Sequence, residues 1–304
     1  MEAFKKFAIF LVKSIYLTIL AIVTAFLPTG VLPKKSVRGE KVLITGGGSG
    51  IGRALAIRFA QLGAKVIIWD VNDKGAAETI EIIRNQAEAE AVSYHVDLCS
   101  ASEISETSRK VREEVGDVDI LVNNAGIAVA KLICLNTEEI VERTLTVNTK
   151  AIFYATQNFL PQMLAKNHGH IVTLASMAGK VASAGLSAYT ASKHAAVGFH
   201  GSLTDELIAL GKTGVRTTLV CPYYVRTPMF NAPDVAGSPL CPILEVDYVA
   251  DRIVEAVQTD AELLITPKAG YFIVFLMSIL PTSVSRLLRE SAGISKHFEK
   301  SKEA

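Results

Sequence analysis

Apolar residues in this chain follow two regimes. From Phe7 to Leu27 they run almost unbroken, interrupted only by Lys13, and no charge falls between Ser14 and Pro33. About twenty helical residues at 1.5 Å each span a hydrocarbon core of about 30 Å. This segment is therefore expected to insert into a membrane. Lys5, Lys6 and Lys13 before it match Lys34, Lys35 and Arg38 after it, so the positive-inside rule gives a tie. Pro28, Gly30 and Pro33 could turn the chain back into a monotopic hairpin, and spanning and hairpin topologies both stay open.

From Glu40 the pattern changes to short apolar runs alternating with helix-length periodic segments. The runs Val42–Thr45, Lys65–Trp69, Ala91–His95, Ile120–Val122, His170–Leu174, Arg216–Val220 and Leu263–Ile265 read as strands buried on both faces. Between them, Gly50–Leu62, Gly75–Glu88, Ser102–Val115 and Asp247–Val257 read as helices. Such alternation predicts an α/β fold, a doubly wound, Rossmann-type parallel sheet of about seven strands. The expected organisation is a membrane anchor and basic linker (1–39), one catalytic domain (40–267) and a C-terminal extension (268–304). Within the domain, the proline-punctuated segment 228–246 carries Met229, Phe230, Val235 and Leu240 and reads as an apolar lid. In the extension, Tyr271–Leu280 is too short to span a bilayer and is closed by Pro281. It reads as a helix at the membrane surface or over the substrate mouth.

Half the residues are hydrophobic and 20% are charged, against about 25% charged in an ordinary soluble domain. That apolar content excludes intrinsic disorder. Thirty-one basic side chains offset thirty acidic ones, so no field draws in nucleic acid. Cys99, Cys134, Cys221 and Cys241 are widely separated, with neither disulfide-framework nor metal-ligand spacing; no metal is expected.

Two constellations carry chemistry. The first predicted strand runs into Thr45-Gly-Gly-Gly-Ser49-Gly50-Ile51-Gly52. Glycines Gly46, Gly50 and Gly52 allow close approach to a pyrophosphate, and the helix that follows offers unpaired N–H groups. Asp70 ends the second strand, where an acid accepts hydrogen bonds from the adenosine ribose and repels the extra phosphate of NADP. NAD is accordingly favoured over NADP. The second constellation is Tyr189-Thr-Ala-Ser-Lys193, a phenol and an ammonium at i and i+4 on one helix face. It follows Ser176, and Asn148 lies in the long helix expected before that.

These motifs, with Asn123-Asn124-Ala125-Gly126, resemble the short-chain dehydrogenase/reductase family, in family order from about Glu40 to Pro267. The resemblance implies an NAD(P)-dependent alcohol dehydrogenase whose catalytic set is Asn148, Ser176, Tyr189 and Lys193. Tyr189 would act as base, Ser176 would bind the substrate oxygen, and Lys193 would lower the tyrosine pKa and bond the nicotinamide ribose. Asn148 would position a relay water. Asn124 would lie beneath the cofactor and Thr227 would reach the nicotinamide amide. Asp97 would face the adenine edge, or else cap the next helix. Two departures stand out: the family usually has Pro-Gly after the sixth strand, whereas here Cys221-Pro222 is followed by Tyr223-Tyr224, which puts the local loop shape in question, and Met177 stands where relatives often carry Ser or Ala.

A narrower resemblance, through Lys34–Val37, Gly116–Val118, His168–Val172 and Ala196–His200, is to a membrane-bound subgroup of retinol and 17β-hydroxysteroid dehydrogenases. It implies a lipophilic alcohol, with retinol as substrate and steroids or long-chain alcohols as alternatives, and a homodimer through the long helices. Lys300 and Lys302 at the end resemble a dilysine retrieval signal, or form a solvated tail. The signal would place the protein in the endoplasmic reticulum membrane with the catalytic domain in the cytosol; lipid droplets are a further location. The competing non-enzymatic reading is an idle membrane or lipid-droplet scaffold, which would be expected to have lost part of the catalytic set.

Overall fold

The computed structural model describes residues 1–27, 30–87, 89–229 and 241–291. The chain divides into two units, Met1–Lys34 and Lys35–Ala304. The first contains helix α1 (Glu2–Phe26). Its stretch Phe4–Thr24, 21 residues long, is apolar and long enough to cross a membrane, and none of that window is buried. Of the residues invoked for a hairpin turn, Pro28 lies outside the described ones.

The second unit is a seven-stranded, all-parallel sheet in the order β3-β2-β1-β4-β5-β6-β7. The strands are β1 (Lys41–Thr45), β2 (Lys65–Asp70), β3 (Ala91–His95), β4 (Ile120–Asn123), β5 (Gly169–Leu174), β6 (Val215–Pro222) and β7 (Leu263–Thr266). Helices α2 (Gly50–Gln61), α3 (Asp73–Ala87) and α8 (Val246–Gln258) cover one face. Helices α4 (Ala101–Glu114), α6 (Ala151–Lys166) and α7 (Ser187–Ala209) cover the other, with α5 (Glu138–Leu145) packed beside α7. Helices α9 (Ala269–Ile279) and α10 (Thr282–Ser291) close the described chain.

Strand alternation divides the core. Val42, Ile44, Val66, Ile68 and Val122 face Leu55, Phe59 and Ile253 on one side. Leu43, Ile67, Trp69 and Leu121 face Ile104, Phe159 and Met163 on the other, with Trp69 and Phe159 ring centres 5.6 Å apart. Each such fully buried side chain contributes about 1.5–3 kcal/mol.

Three details differ from the sequence reading. β3 is not buried on both faces: it is an edge strand with Val92, Ser93 and His95 exposed, because it ends the sheet and pairs only with β2 among the described strands. α3 starts at Asp73, two residues early, because Asn72 caps it: Oδ1 accepts from the Gly75 N–H at 3.1 Å. The expected long helix around Asn148 is interrupted by a π-helical turn, Thr146–Lys150, between α5 and α6. Most of the lid segment (230–240) and the dilysine tail lie outside the described residues.

Candidate active site

The strand order reverses between β1 and β4, so their C-terminal ends part and leave a crevice. A cavity of about 350 Å³ opens there. Thr45 ties its two sides together: its Oγ1 accepts from the N–H groups of Asn124 and Ala125, each at 3.0 Å. Asn124 Nδ2 donates back to the carbonyls of Thr45 (2.8 Å) and Gly46 (3.2 Å), which seats Asn124 beneath the glycine loop. At Gly52, an added Cβ would lie 2.0 Å from the Gly46 oxygen and 2.6 Å from Asn124 Nδ2, so no side chain can exist there. Gly46 itself has φ +69°, a conformation glycine adopts freely.

Asp70 organises the far side of the loop. One carboxylate oxygen accepts from the Gly48 N–H (2.8 Å) and the other from the Asn72 N–H (2.9 Å), while the side chain still borders the cavity. Arg53 reaches back to the Gly48 carbonyl at 2.5 Å. Ser49, Gly50 and Ile51 line the cavity at the start of α2, where no acidic side chain occupies the first turn. Thr227 stands over Gly50, whose Cβ would meet its Cγ2 at 3.5 Å. Asp97 also lines the cavity; its carboxylate accepts from the Cys99 N–H (2.9 Å), and Ser100, not Asp97, caps α4. A backbone cradle without side chains, a helix N-terminus and a carboxylate at the ribose position fit a bound dinucleotide.

The opposite wall is α7. Tyr189, Ser192, Lys193 and Ala196 fall on its buried face. Ser176, in extended backbone just after β5, hydrogen-bonds the Tyr189 hydroxyl. Lys193 donates to the Leu174 carbonyl at 2.8 Å, and its ammonium lies 5.7 Å from the Tyr189 ring centre. Asn148 sits in the π-helical turn with its side chain fully buried. Its Oδ1 accepts from the Ile127 N–H at 2.8 Å, and its Nδ2 donates to the Ile127 carbonyl (2.9 Å) and to Ser192 Oγ (3.0 Å). A Cβ on Gly126 would be 3.2 Å from Asn148 Oδ1 and 3.4 Å from Lys193 Nζ, so the glycine keeps the space between them open.

Burial acts on the two titratable groups in opposite directions. Burial pushes Tyr189 up to about 12, with the Ser176 hydrogen bond acting in the opposite sense. Burial pulls Lys193 down to about 8. Desolvation is the largest cause of both shifts.

All the sequence-chosen residues thus converge on one cavity, with Asn148 just behind its wall. Sequence reasoning missed Arg143 of α5 and Val147 of the π-helical turn, which line the cavity, and Val181, Ser183 and Leu186 from the loop before α7. The helical spacing of Arg143 and Val147 was the available signal. The unusual tyrosines fit because the loop is laddered: Tyr223 N–H bonds Thr266, and Tyr224 accepts from Leu244. Their rings meet edge-on at 5.0 Å, and both line the cavity.

The family model for short chain dehydrogenases matches residues 40–234. The chain belongs to the short-chain dehydrogenase family. It is 40% identical over 294 residues to human epidermal retinol dehydrogenase 2, covering 97% of this chain and 94% of that one. It is 41% identical to mouse estradiol 17-beta-dehydrogenase 11, with 92% of each chain covered. Among solved structures, a Burkholderia phymatum short-chain dehydrogenase in complex with NAD superposes with a TM-score of 0.72 at 27% identity, over 80% of this chain and 94% of that one. This family member is an NAD(P)-dependent oxidoreductase.

Proposed function

We propose that this dehydrogenase oxidises a lipophilic alcohol, all-trans-retinol to retinaldehyde, with NAD as acceptor and Tyr189 as base. The observation that carries this reading is the meeting of Tyr189 and Ser176 in one cavity with the glycine cradle and Asp70. Apolar Val181, Leu186 and Met229 line the same space and suit a hydrocarbon substrate.

Gly46, Ser49, Gly50, Ile51 and Gly52 would hold the pyrophosphate, Asp70 the ribose, Asp97 the adenine edge and Asn124 the floor; Thr227 and Lys193 would hold the nicotinamide end. When bound, oxidised nicotinamide supplies the hydride acceptor and a positive charge beside the phenol. Ser176 donates a hydrogen bond to the substrate oxygen and orients it toward Tyr189. Tyr189 removes the hydroxyl proton as the carbon–hydrogen bond breaks. Lys193 stabilises the phenolate form that accepts this proton, which then passes on through water held near Asn148 and Gly126. NAD is preferred because the Asp70 carboxylate opposes a 2′-phosphate.

The N-terminal helix would hold the protein in the endoplasmic reticulum membrane, with the domain 40–267 in the cytosol and lipid droplets as a second location. The segment 228–246 would serve as an apolar lid, and two copies would pair through the long helices. The estradiol dehydrogenase relative supports 17β-hydroxysteroids as the second reading, with long-chain alcohols a further alternative. The complete set Asn148, Ser176, Tyr189 and Lys193 argues against an idle scaffold. Membranes containing the full chain, given retinol, estradiol and a long-chain alcohol with NAD or NADP, test this reading. Retinol with NAD is expected to show the highest kcat/KM, and faster estradiol turnover would replace retinol with the steroid.

A further inference from the structure

α9 has two unlike faces. Tyr271, Ile273 and Val274 pack on Ala175, Met177, Cys221 and Ile265. The contact is close: a Cβ on Gly270 would lie 2.5 Å from Ile265 Cγ2 and 3.1 Å from the Met177 sulfur, and Met177 lines the active-site cavity. The Tyr271 hydroxyl donates to the Leu263 carbonyl (2.9 Å) and accepts from the Ile265 N–H (3.1 Å), which fixes α9 along the outer edge of β7. The other face leaves Phe272, Phe275 and Ile279 at 61%, 58% and 60% exposure, and Leu287 of α10 is 64% exposed. α9 carries no charged residue, whereas α10 carries Arg286, Arg289 and one acid, Glu290, for a net positive charge.

The second unit begins at Lys35, beside the turn that enters β7. The Lys35 N–H donates to the Gln258 carbonyl at 2.8 Å and its ammonium to Asp260 at 2.6 Å, both at the turn entering β7. Bulky apolar side chains with arginines close by, and no charge among them, match the boundary between headgroups and acyl chains.

We infer that the α9–α10 face lies on an anionic phospholipid bilayer and brings the active-site wall of Met177 against the lipid that delivers the substrate. The face is a second membrane contact, independent of the N-terminal helix. It sets where a lipid-borne alcohol leaves the bilayer.

Trp69, the only tryptophan in the chain, is fully buried and gives a constant background. Full-length Phe275→Trp in phosphatidylcholine/phosphatidylserine vesicles, with brominated phosphatidylcholine added, reports whether α9 touches acyl chains. Roughly twofold quenching of the added emission is expected, with none for Trp69. Added emission that stays unquenched in the Phe275→Trp protein would overturn the inference, and shielding of the introduced indole in a cross-linked dimer would assign the face to a second copy instead. A second arm rests on the proposed reaction: Phe272→Asp/Phe275→Asp should raise KM for vesicle-borne retinol about tenfold and leave KM for a short water-soluble alcohol unchanged. If neither alcohol is oxidised by the parent, the proposed function fails while the quenching result still stands.

Discussion

The ammonium of Lys193 lies 5.7 Å from the centre of the Tyr189 ring and donates to the Leu174 carbonyl, so both functional groups are enclosed in protein. Burial acts on them in opposite directions, pulling Lys193 to about 8 and pushing Tyr189 to about 12. Burial therefore disfavours the charged form of each group.

A stability test follows. Between pH 8 and 10.5 the unfolded chain binds more protons at Lys193 than the fold does, so stability rises with pH across that interval. Below it, the folded protein bears the full cost of a buried cation. Lys193→Met is expected to abolish turnover yet be more stable at pH 7 by about 1–3 kcal/mol. The difference should shrink toward pH 10, as read by denaturant unfolding in detergent. Equal pH dependence in the two proteins would contradict the burial assignment.

Asp70 has two tasks, anchoring Gly48 and Asn72 and facing the ribose. Asp70→Ala should lower the ratio of kcat/KM for NAD over NADP by about tenfold or more, because the repelling charge is gone. Steady-state kinetics with each cofactor decide this, and an unchanged ratio would remove Asp70 from cofactor choice.

The Gly46–Gly52 contact admits no methyl group. Gly52→Ala is expected to weaken NADH binding by about a hundredfold, since the loop must shift to admit the Cβ. Fluorescence titration measures it. Near-normal affinity would mean that the cradle does not hold the pyrophosphate.

Lys35 accounts for the attachment of the linker. Its ammonium lies between Asp260 (2.6 Å) and Nδ1 of buried His170 (3.1 Å), and His170 is bonded through its other nitrogen to Thr218 at 2.8 Å. Lys35→Met should accelerate proteolysis after residue 30 and cost about 1 kcal/mol of stability, with kcat for a soluble alcohol unchanged. Unchanged proteolysis would show that the backbone bond to Gln258 suffices.

Most of the site was legible because its residues act where the chain changes element. Thr45–Gly52 marks the first strand-to-helix turn, and Tyr189 and Lys193 share a face through helical periodicity alone. What was hidden depends on partners distant in sequence. The exposure of β3 follows from its place at the sheet edge, which Ala91–His95 does not encode locally. The π-helical turn at Asn148 keeps ordinary helical composition. The capping of β7 by Tyr271 and the bond between the Ser183 and Tyr224 side chains exist only once the chain has folded.

The central claim is that Tyr189 serves as the base for oxidation of a lipid-borne alcohol. Retinaldehyde formation from retinol and NAD, by membranes bearing the wild-type chain or Tyr189→Phe at equal protein level, tests it most directly. The phenylalanine variant should still bind NADH and lose at least about a thousandfold in rate. Retinaldehyde formed at the wild-type rate by Tyr189→Phe would contradict the account.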